Sequence, residues 1–267
     1  MCPYKAVCFD FDYTLGDCTE SIVAGFQYAL PAMGWPEPDR ETVRGTVGYL
    51  LEDAYTLLTG DTDPVHQAQF RPLYSSVATV GQVEKAKLFP GAEALIHGLT
   101  GAGIRTAIVS SRRSETTKQI MARFGLLEDF TVILGNRDVK KPKPDPQGLR
   151  AAMELLGVTP EETLFCGDTV LDAGAARNAG CDFAAVLLGT TPREDFSGFS
   201  PVHFANDLED LARCSLGTAA SAWHPLCAQL CPPGAGAGAG GGSALLRKEA
   251  GPVGGEGGLR QIGRAHV

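Results

Sequence analysis

Two aspartates one residue apart, Asp10 and Asp12, stand in CFDFDYTLGD, directly after the apolar run Ala6, Val7, Cys8 and Phe9. Alternate residues of an extended strand point the same way, so both carboxylates are expected to project together from a strand end. Like charges repel, and a buried carboxylate is costly unless paired or metal-bound. The pair is therefore expected either in water at a loop or around something positive. Other apolar runs end in complementary groups. Ser110, Ser111 and Arg112 close the run at 105–110, and Asp168 and Asp172 lie in GDTVLD after the run at 163–167. Lys140, Lys141 and Lys143 lie in KKPKPDP, a loop whose three prolines fix where its cations point. Clustered carboxylates suit Mg²⁺, which prefers oxygen ligands in octahedral geometry. A hydroxyl and a lysine suit a phosphate, and a carboxylate facing a metal-bound phosphoryl group can act as a nucleophile.

The elements that must position these groups alternate. Short apolar runs at 5–10, 105–110, 131–134, 163–167 and 183–188 read as parallel strands covered on both faces. Helical spacing marks 114–124, 146–156 and 172–179 between them, with Gly157 and Gly180 as stops. The pattern predicts an α/β, doubly wound parallel sheet, which binds ligands at the carboxyl ends of its strands. The stretch 17–86 breaks the rhythm. Helices are expected at 19–33, 40–47, 50–59 and 65–77, with Pro31 and Pro72 interrupting two of them. Too long for a loop, it reads as an inserted small α-helical domain. The core is then 1–16 and 87–212.

Residues 213–267 differ in kind. Their Gly-, Ala- and Pro-rich run from 232 to 258 cannot build a core. GC-rich DNA read out of frame gives such residues, and the last six residues match one reading frame of a sequencing adaptor. The segment is read as a disordered or artefactual tail, and His224, Cys227 and Cys231 are set aside with it.

The 267 residues are 44% hydrophobic and carry a net charge of −8. That balance argues against a nucleic-acid or anionic-membrane partner. No apolar run reaches the length of a membrane span and no signal peptide precedes the first strand, so a cytoplasmic location is expected. The eight cysteines are scattered and read as reduced thiols, with Cys8 and Cys166 acting as small hydrophobes.

Taken in order, Asp10-Phe11-Asp12-Tyr13-Thr14, the strand-ending Ser110, Lys141 in Lys-Pro-Lys-Pro-Asp-Pro, and Gly167-Asp168 with Asp172 resemble the four motifs of the haloacid dehalogenase-like superfamily. The resemblance covers residues 4–212 and is closest to the phosphoglycolate phosphatase-like branch, with the insert as its helical cap. It implies a Rossmann-like core and an Mg²⁺-dependent phosphomonoester hydrolase acting on a small phosphorylated metabolite, phosphoglycolate being the first candidate. By that resemblance Asp10 attacks phosphorus, and Asp12 protonates the leaving group and then activates water. Thr14 helps hold Asp12. Ser110, Ser111 and Lys141 hold the phosphoryl oxygens. Asp10, the Asp12 backbone carbonyl and Asp168 bind Mg²⁺, and Asp172 acts through water or by orienting Lys141. Lys140 and Lys143 are expected to be solvated. A phosphosugar mutase, a pyrophosphatase, a nucleotidase or a non-catalytic phosphate-ligand binder on the same fold are the alternatives.

Each group also has a plainer use. Ser110 suits a strand end, Lys141 an exposed loop, and Asp168 and Asp172 the start of a helix. Arg112 and Arg113 suit ligand contact and a helix-start surface equally well. Asp17 and Glu20 are read as the start of the insert's first helix, Trp35 and Tyr49 as packing, and His66, His97 and His203 as having no role.

Overall fold

The computed structural model describes residues 4–216. Within them the chain runs through β1 (Ala6–Phe9), β2 (Gly16–Asp17), α1 (Thr19–Ala32), α2 (Arg40–Arg44), α3 (Leu51–Thr59), α4 (Pro64–Ala78), α5 (Gln82–Lys85) and β3 (Lys87–Leu88). It continues through α6 (Ala92–Gly101), β4 (Arg105–Val109), α7 (Ser114–Arg123), β5 (Val132–Leu134), α8 (Gln147–Leu156), β6 (Thr163–Gly167), α9 (Val170–Ala179), β7 (Asp182–Val186), β8 (His203–Ala205) and α10 (Leu208–Leu216). Six strands form one sheet in the order β5-β4-β1-β6-β7-β8, and every neighbouring pair is parallel.

Alternation within β1 explains why the sheet is covered twice. Val7 and Phe9 face a core shared with Leu95, Leu99, Ile120 and Leu211. Ala6 and Cys8 face the other, with Leu149, Met153, Ala173 and Ala176. Helices therefore lie on both faces, as the near-continuous apolar strands require. β1 is the central switch strand: β4 and β5 extend the sheet on one side, β6 to β8 on the other. A crevice is expected at the carboxyl end of such a strand.

The insert leaves and re-enters through a ribbon. Gly16 pairs with Leu88 and Asp17 with Lys87, antiparallel. Its helices pack on an aromatic cluster in which Phe26, Phe70, Tyr74 and Tyr55 have ring centroids 4.9 to 5.8 Å apart. Gly25 makes the α1–α4 approach possible, since a Cβ there would stand 2.6 Å from the Tyr74 ring.

Pro72 does not interrupt its helix as expected; it lies inside α4. An interior proline costs about 3 kcal/mol, and burial of a core phenylalanine such as Phe70 is of comparable size, about 3–5 kcal/mol by truncation. Pro31 sits in the last turn of α1, where less of the helix is left to break.

β8 and the β2–β3 ribbon were not expected, because two- and three-residue strands leave no readable alternation. The expected core boundary at 212 is corrected: α10 continues to Leu216, and Ser215 and Leu216 are buried. The remainder of the tail, with His224, Cys227 and Cys231, lies outside the described residues. The three described histidines, read as having no role, each stand beside a carboxylate: His66 by Asp61, His97 by Asp129 and His203 by Asp210. No helix among the described residues is long and apolar enough to cross a membrane.

Candidate active site

Asp10 follows β1 directly, and its N–H donates to Cys166 O on β6 at 2.9 Å. The chain then folds back on itself. The N–H groups of Thr14, Leu15 and Gly16 converge on Phe11 O, and Tyr13 takes a positive φ of 56°. This tight turn leaves Asp10 and Asp12 buried at the strand end.

They do not share one cation. Lys143 Nζ donates to Asp10 Oδ1 at 2.8 Å and to Asp172 Oδ1 at 2.5 Å. Asp12 is gripped instead by Arg112, through Nε to Oδ2 at 3.0 Å and Nη2 to Oδ1 at 2.7 Å. Arg112 is thus a residue of the site. Its sequence position left ligand contact and surface charge equally open, and only the fold shows it turned inward.

The lysine assignment is corrected. Lys141 is 73% exposed and stands 3.6 Å from Asp145, whereas Lys143 is 7% exposed and lies inside the carboxylate cluster. Lys-Pro-x-Pro occurs twice, overlapping, in this loop, and the copy beginning at Lys143 is the one that leads straight into α8.

Asp172 serves two structures at once. Its Oδ2 accepts from Thr169 N and Thr169 Oγ1, forming the capping box of α9, while Oδ1 holds Lys143. The helix-capping use and the lysine-orienting use are therefore both present. Gly167 permits this, since a Cβ there would stand 2.5 Å from the Asp172 side chain.

Two expected contacts differ. Thr14 Oγ1 is buried with no hydrogen-bond partner, so Thr14 does not hold Asp12. Ser111 Oγ donates to Gly48 O of the insert at 2.8 Å, which commits its hydroxyl to that contact. Ser110 Oγ accepts from Arg112 N at 3.3 Å. Tyr49, expected to pack, lines the site and the cleft outside it and is 37% exposed. Asp17 ends β2 rather than beginning the insert's first helix, though its Oδ1 accepts from Thr19 N at the start of that helix at 2.8 Å.

Asp10, Asp168 and Asp172 each bring a carboxylate oxygen within 4.8 Å of the others. One lysine faces these three carboxylates, leaving an excess of negative charge. Burial pushes the Asp10 carboxyl up to about 6 against the pull of Lys143, with Asp172 adding to the rise. Burial, then Asp172 and Asp10, hold Asp168 well above the usual carboxylate range. Burial opposes the Lys143 ammonium, but Asp10 and Asp172 outweigh it and raise its pKa.

Asp168 Oδ1 is buried without a partner, while Oδ2 is pressed against Gly189, where a Cβ would stand 2.1 Å away. A buried all-oxygen cluster, an excess of negative charge and an orphaned carboxylate oxygen fit a hard divalent cation. Above the strand ends the insert roofs a partly open cavity of about 140 Å³, walled by Asp10, Asp12 and Arg112 below and by Phe26, Leu51 and Tyr74 above.

Comparison with known proteins agrees with this geometry. A family model described as haloacid dehalogenase-like hydrolase matches residues 7–186. A phosphoglycolate phosphatase of Vibrio parahaemolyticus is 28% identical, over 78% of this chain and 94% of its own. An N-acetylmuramic acid 6-phosphate phosphatase of Pseudomonas aeruginosa is 30% identical, over 76% of this chain and 89% of its own. A solved haloacid dehalogenase-like family hydrolase from Streptococcus pneumoniae superposes with a TM-score of 0.69 at 25% identity, covering 79% of this chain and 98% of that one.

Proposed function

The chain belongs to the haloacid dehalogenase-like hydrolases and is a phosphatase, and we propose that it hydrolyses a small phosphomonoester through an aspartyl-phosphate on Asp10, with Mg²⁺ as cofactor. Residues 17–86 act as a cap over the catalytic core. One observation carries the reading: Asp10 is buried at the switch strand's end, tied to Lys143, with Asp168 Oδ1 unpartnered beside it.

Asp10 and Asp168 would hold the cation together with the Asp12 backbone carbonyl. Asp172 is the poorer ligand, because both its oxygens are already engaged. The cation supplies charge neutralisation at the phosphoryl oxygens. Lys143 leaves its ion pair with Asp10 as a phosphoryl group arrives and donates to a phosphoryl oxygen, while Asp172 keeps it in place. Ser110 donates to another oxygen.

Asp10 then attacks phosphorus, and the P–O bond to the leaving group breaks. Asp12 delivers a proton to the departing oxygen and afterwards takes one from the water that hydrolyses the intermediate. Such preorganised donors work best where water is excluded, which the insert over the site favours. Phosphoglycolate, the substrate named for several relatives, is the first candidate.

The test is phosphate release from a panel of phosphorylated metabolites, with and without Mg²⁺. Mg²⁺-dependent release, strongest on one small ester and abolished in a folded Asp10→Asn variant, is the expected result. Comparable turnover in that variant would remove Asp10 as nucleophile.

A further inference from the structure

Arg112 has more hydrogen-bonding capacity than Asp12 uses. A guanidinium carries five N–H donors along two usable edges. Asp12 takes the edge formed by Nε and Nη2. Among the described residues nothing accepts from Nη1 or from the second Nη2 hydrogen. Arg112 is nonetheless buried, 8% exposed at its side chain, and lines the cavity. Its guanidinium lies 5.9 Å from the Phe11 ring centroid, which limits how it turns. A buried cation with an open, planar pair of donors is a seat for a carboxylate, bound in fork geometry.

The neighbours agree in sign. Arg113 lines the same cavity, and its side chain has no ion-pair or hydrogen-bond partner among the described residues. Thr116, from the first turn of the ten-residue α7, stands in the same wall and carries a hydroxyl donor. Arg112 and Arg113 face Asp12 and Asp10 across the cavity, and Asp10 is already held by Lys143. Arg71, the other cation there, is already committed to Glu52. Size narrows the ligand. About 140 Å³ is close to the roughly 150 Å³ cavity that holds one benzene ring. That suits a short chain beyond the phosphoryl group.

We propose that Arg112 is a specificity-determining residue: its free Nη1/Nη2 edge seats a carboxylate carried by the leaving group, so that the preferred substrate is the phosphate ester of a short hydroxy acid. This rests on the phosphatase reading above and adds to it the residue that recognises the carboxylate of the substrate. With Asp12 on one edge and the substrate carboxylate on the other, one guanidinium sets the leaving oxygen beside Asp12 and phosphorus toward Asp10. A neutral leaving group of the same length leaves the second edge of a buried cation unpaired, which is the costly arrangement.

The experiment compares 2-phosphoglycolate with 2-hydroxyethyl phosphate, which replaces the carboxylate by an alcohol, using the full chain in saturating Mg²⁺. Wild type is expected to favour the acid ester in kcat/KM by about a hundredfold or more, as sites built to hydrogen-bond a substrate group reject analogues lacking it. Arg112→Met is expected to bring the ratio to within about threefold, and Arg112→Lys, which keeps the charge without the fork, to an intermediate value. A wild-type ratio near one overturns the proposal. So does an Arg112→Met variant that slows both esters by the same factor, since Arg112 would then only hold Asp12. Calorimetric titration of both esters onto Asp10→Asn reads the anchor without turnover. Preferential binding of the acid ester there, lost on adding Arg112→Met, supports the anchor even if wild type releases no phosphate, in which case the phosphatase reading alone falls. Equal binding of the two esters overturns the anchor whatever the turnover.

Discussion

Lys143 and Lys141 stand two residues apart in one proline-stiffened loop, and only Lys143 reaches the carboxylates. If Lys143 neutralises the phosphoryl oxygens, Lys143→Met should lower kcat by about a hundredfold to a thousandfold, the usual effect of removing one preorganised donor. Lys141→Met, which removes an exposed charge, should stay within about threefold of wild type. Steady-state kinetics on one ester in saturating Mg²⁺ decides it, and equal losses in the two variants would return the role to neither. The pair also marks what the sequence leaves open. Both lysines begin a Lys-Pro-x-Pro pattern, and alternate residues of an extended loop share a side. Residue type and spacing therefore identify the loop but not the lysine. What separates them is distance from the start of α8, a feature of the fold. Arg112 was undecided for the same reason: an arginine at a helix start faces solvent or the site according to what the insert covers. Asp10, Asp12 and Asp168 were legible because they stand at the end of a strand signal, and Asp172 because it falls in the first turn of the helix that follows one.

At the scale of elements, the turn between α2 and α3 is where the insert touches the strand ends. Gly48 has a φ of +101°, its carbonyl accepts from Ser111, and a Cβ on it would stand 2.8 Å from Thr169 Cγ2. Thr169 starts α9 and is bonded to Asp172, so the contact bears on the lysine anchor too. Gly48→Ala should push the turn off Thr169 and lower kcat/KM by about tenfold or more, in keeping with the cost of small misplacements at a site. Gly34→Ala is the control. Gly34 also has a positive φ, +85°, but nothing stands within 4 Å of its added Cβ. It should lose the same conformational term, about 1–2 kcal/mol, with turnover unchanged. Unfolding midpoints and kinetics of both variants separate strain from displacement; a matched loss of activity in the two would mean that the Gly48 contact does not matter. Four of the five described helices of the insert were legible from their spacing, and the four-residue α5 was too short to be. The contact was not, because it joins positions far apart in the chain through a backbone carbonyl, which leaves no residue signature.

For the whole molecule, the chain carries a net charge of −8 and still gathers three buried carboxylates around one lysine. Folding therefore works against the ionised cluster. Asp10 has an ordinary value of 3.8 and is pushed up to about 6 by burial, and Asp168 is raised as well. Between those values the folded state keeps a proton that the unfolded state has lost, so without a divalent cation this term lowers stability as pH rises through the window. A cation bound to the folded form alone reverses the cost and competes with the same protons. Mg²⁺ at about 10 mM should therefore raise the unfolding temperature by several degrees at about pH 7.5 and by much less at about pH 5. Asp168→Asn removes the negative charge and one of the two oxygens, and should abolish most of the shift at the higher pH. Thermal unfolding of the full chain at both pH values, with and without the cation, measures this directly. A shift of the same size at both pH values, or one that survives in Asp168→Asn, would place the cation away from Asp10 and Asp168 and take the proposed metal ligands with it.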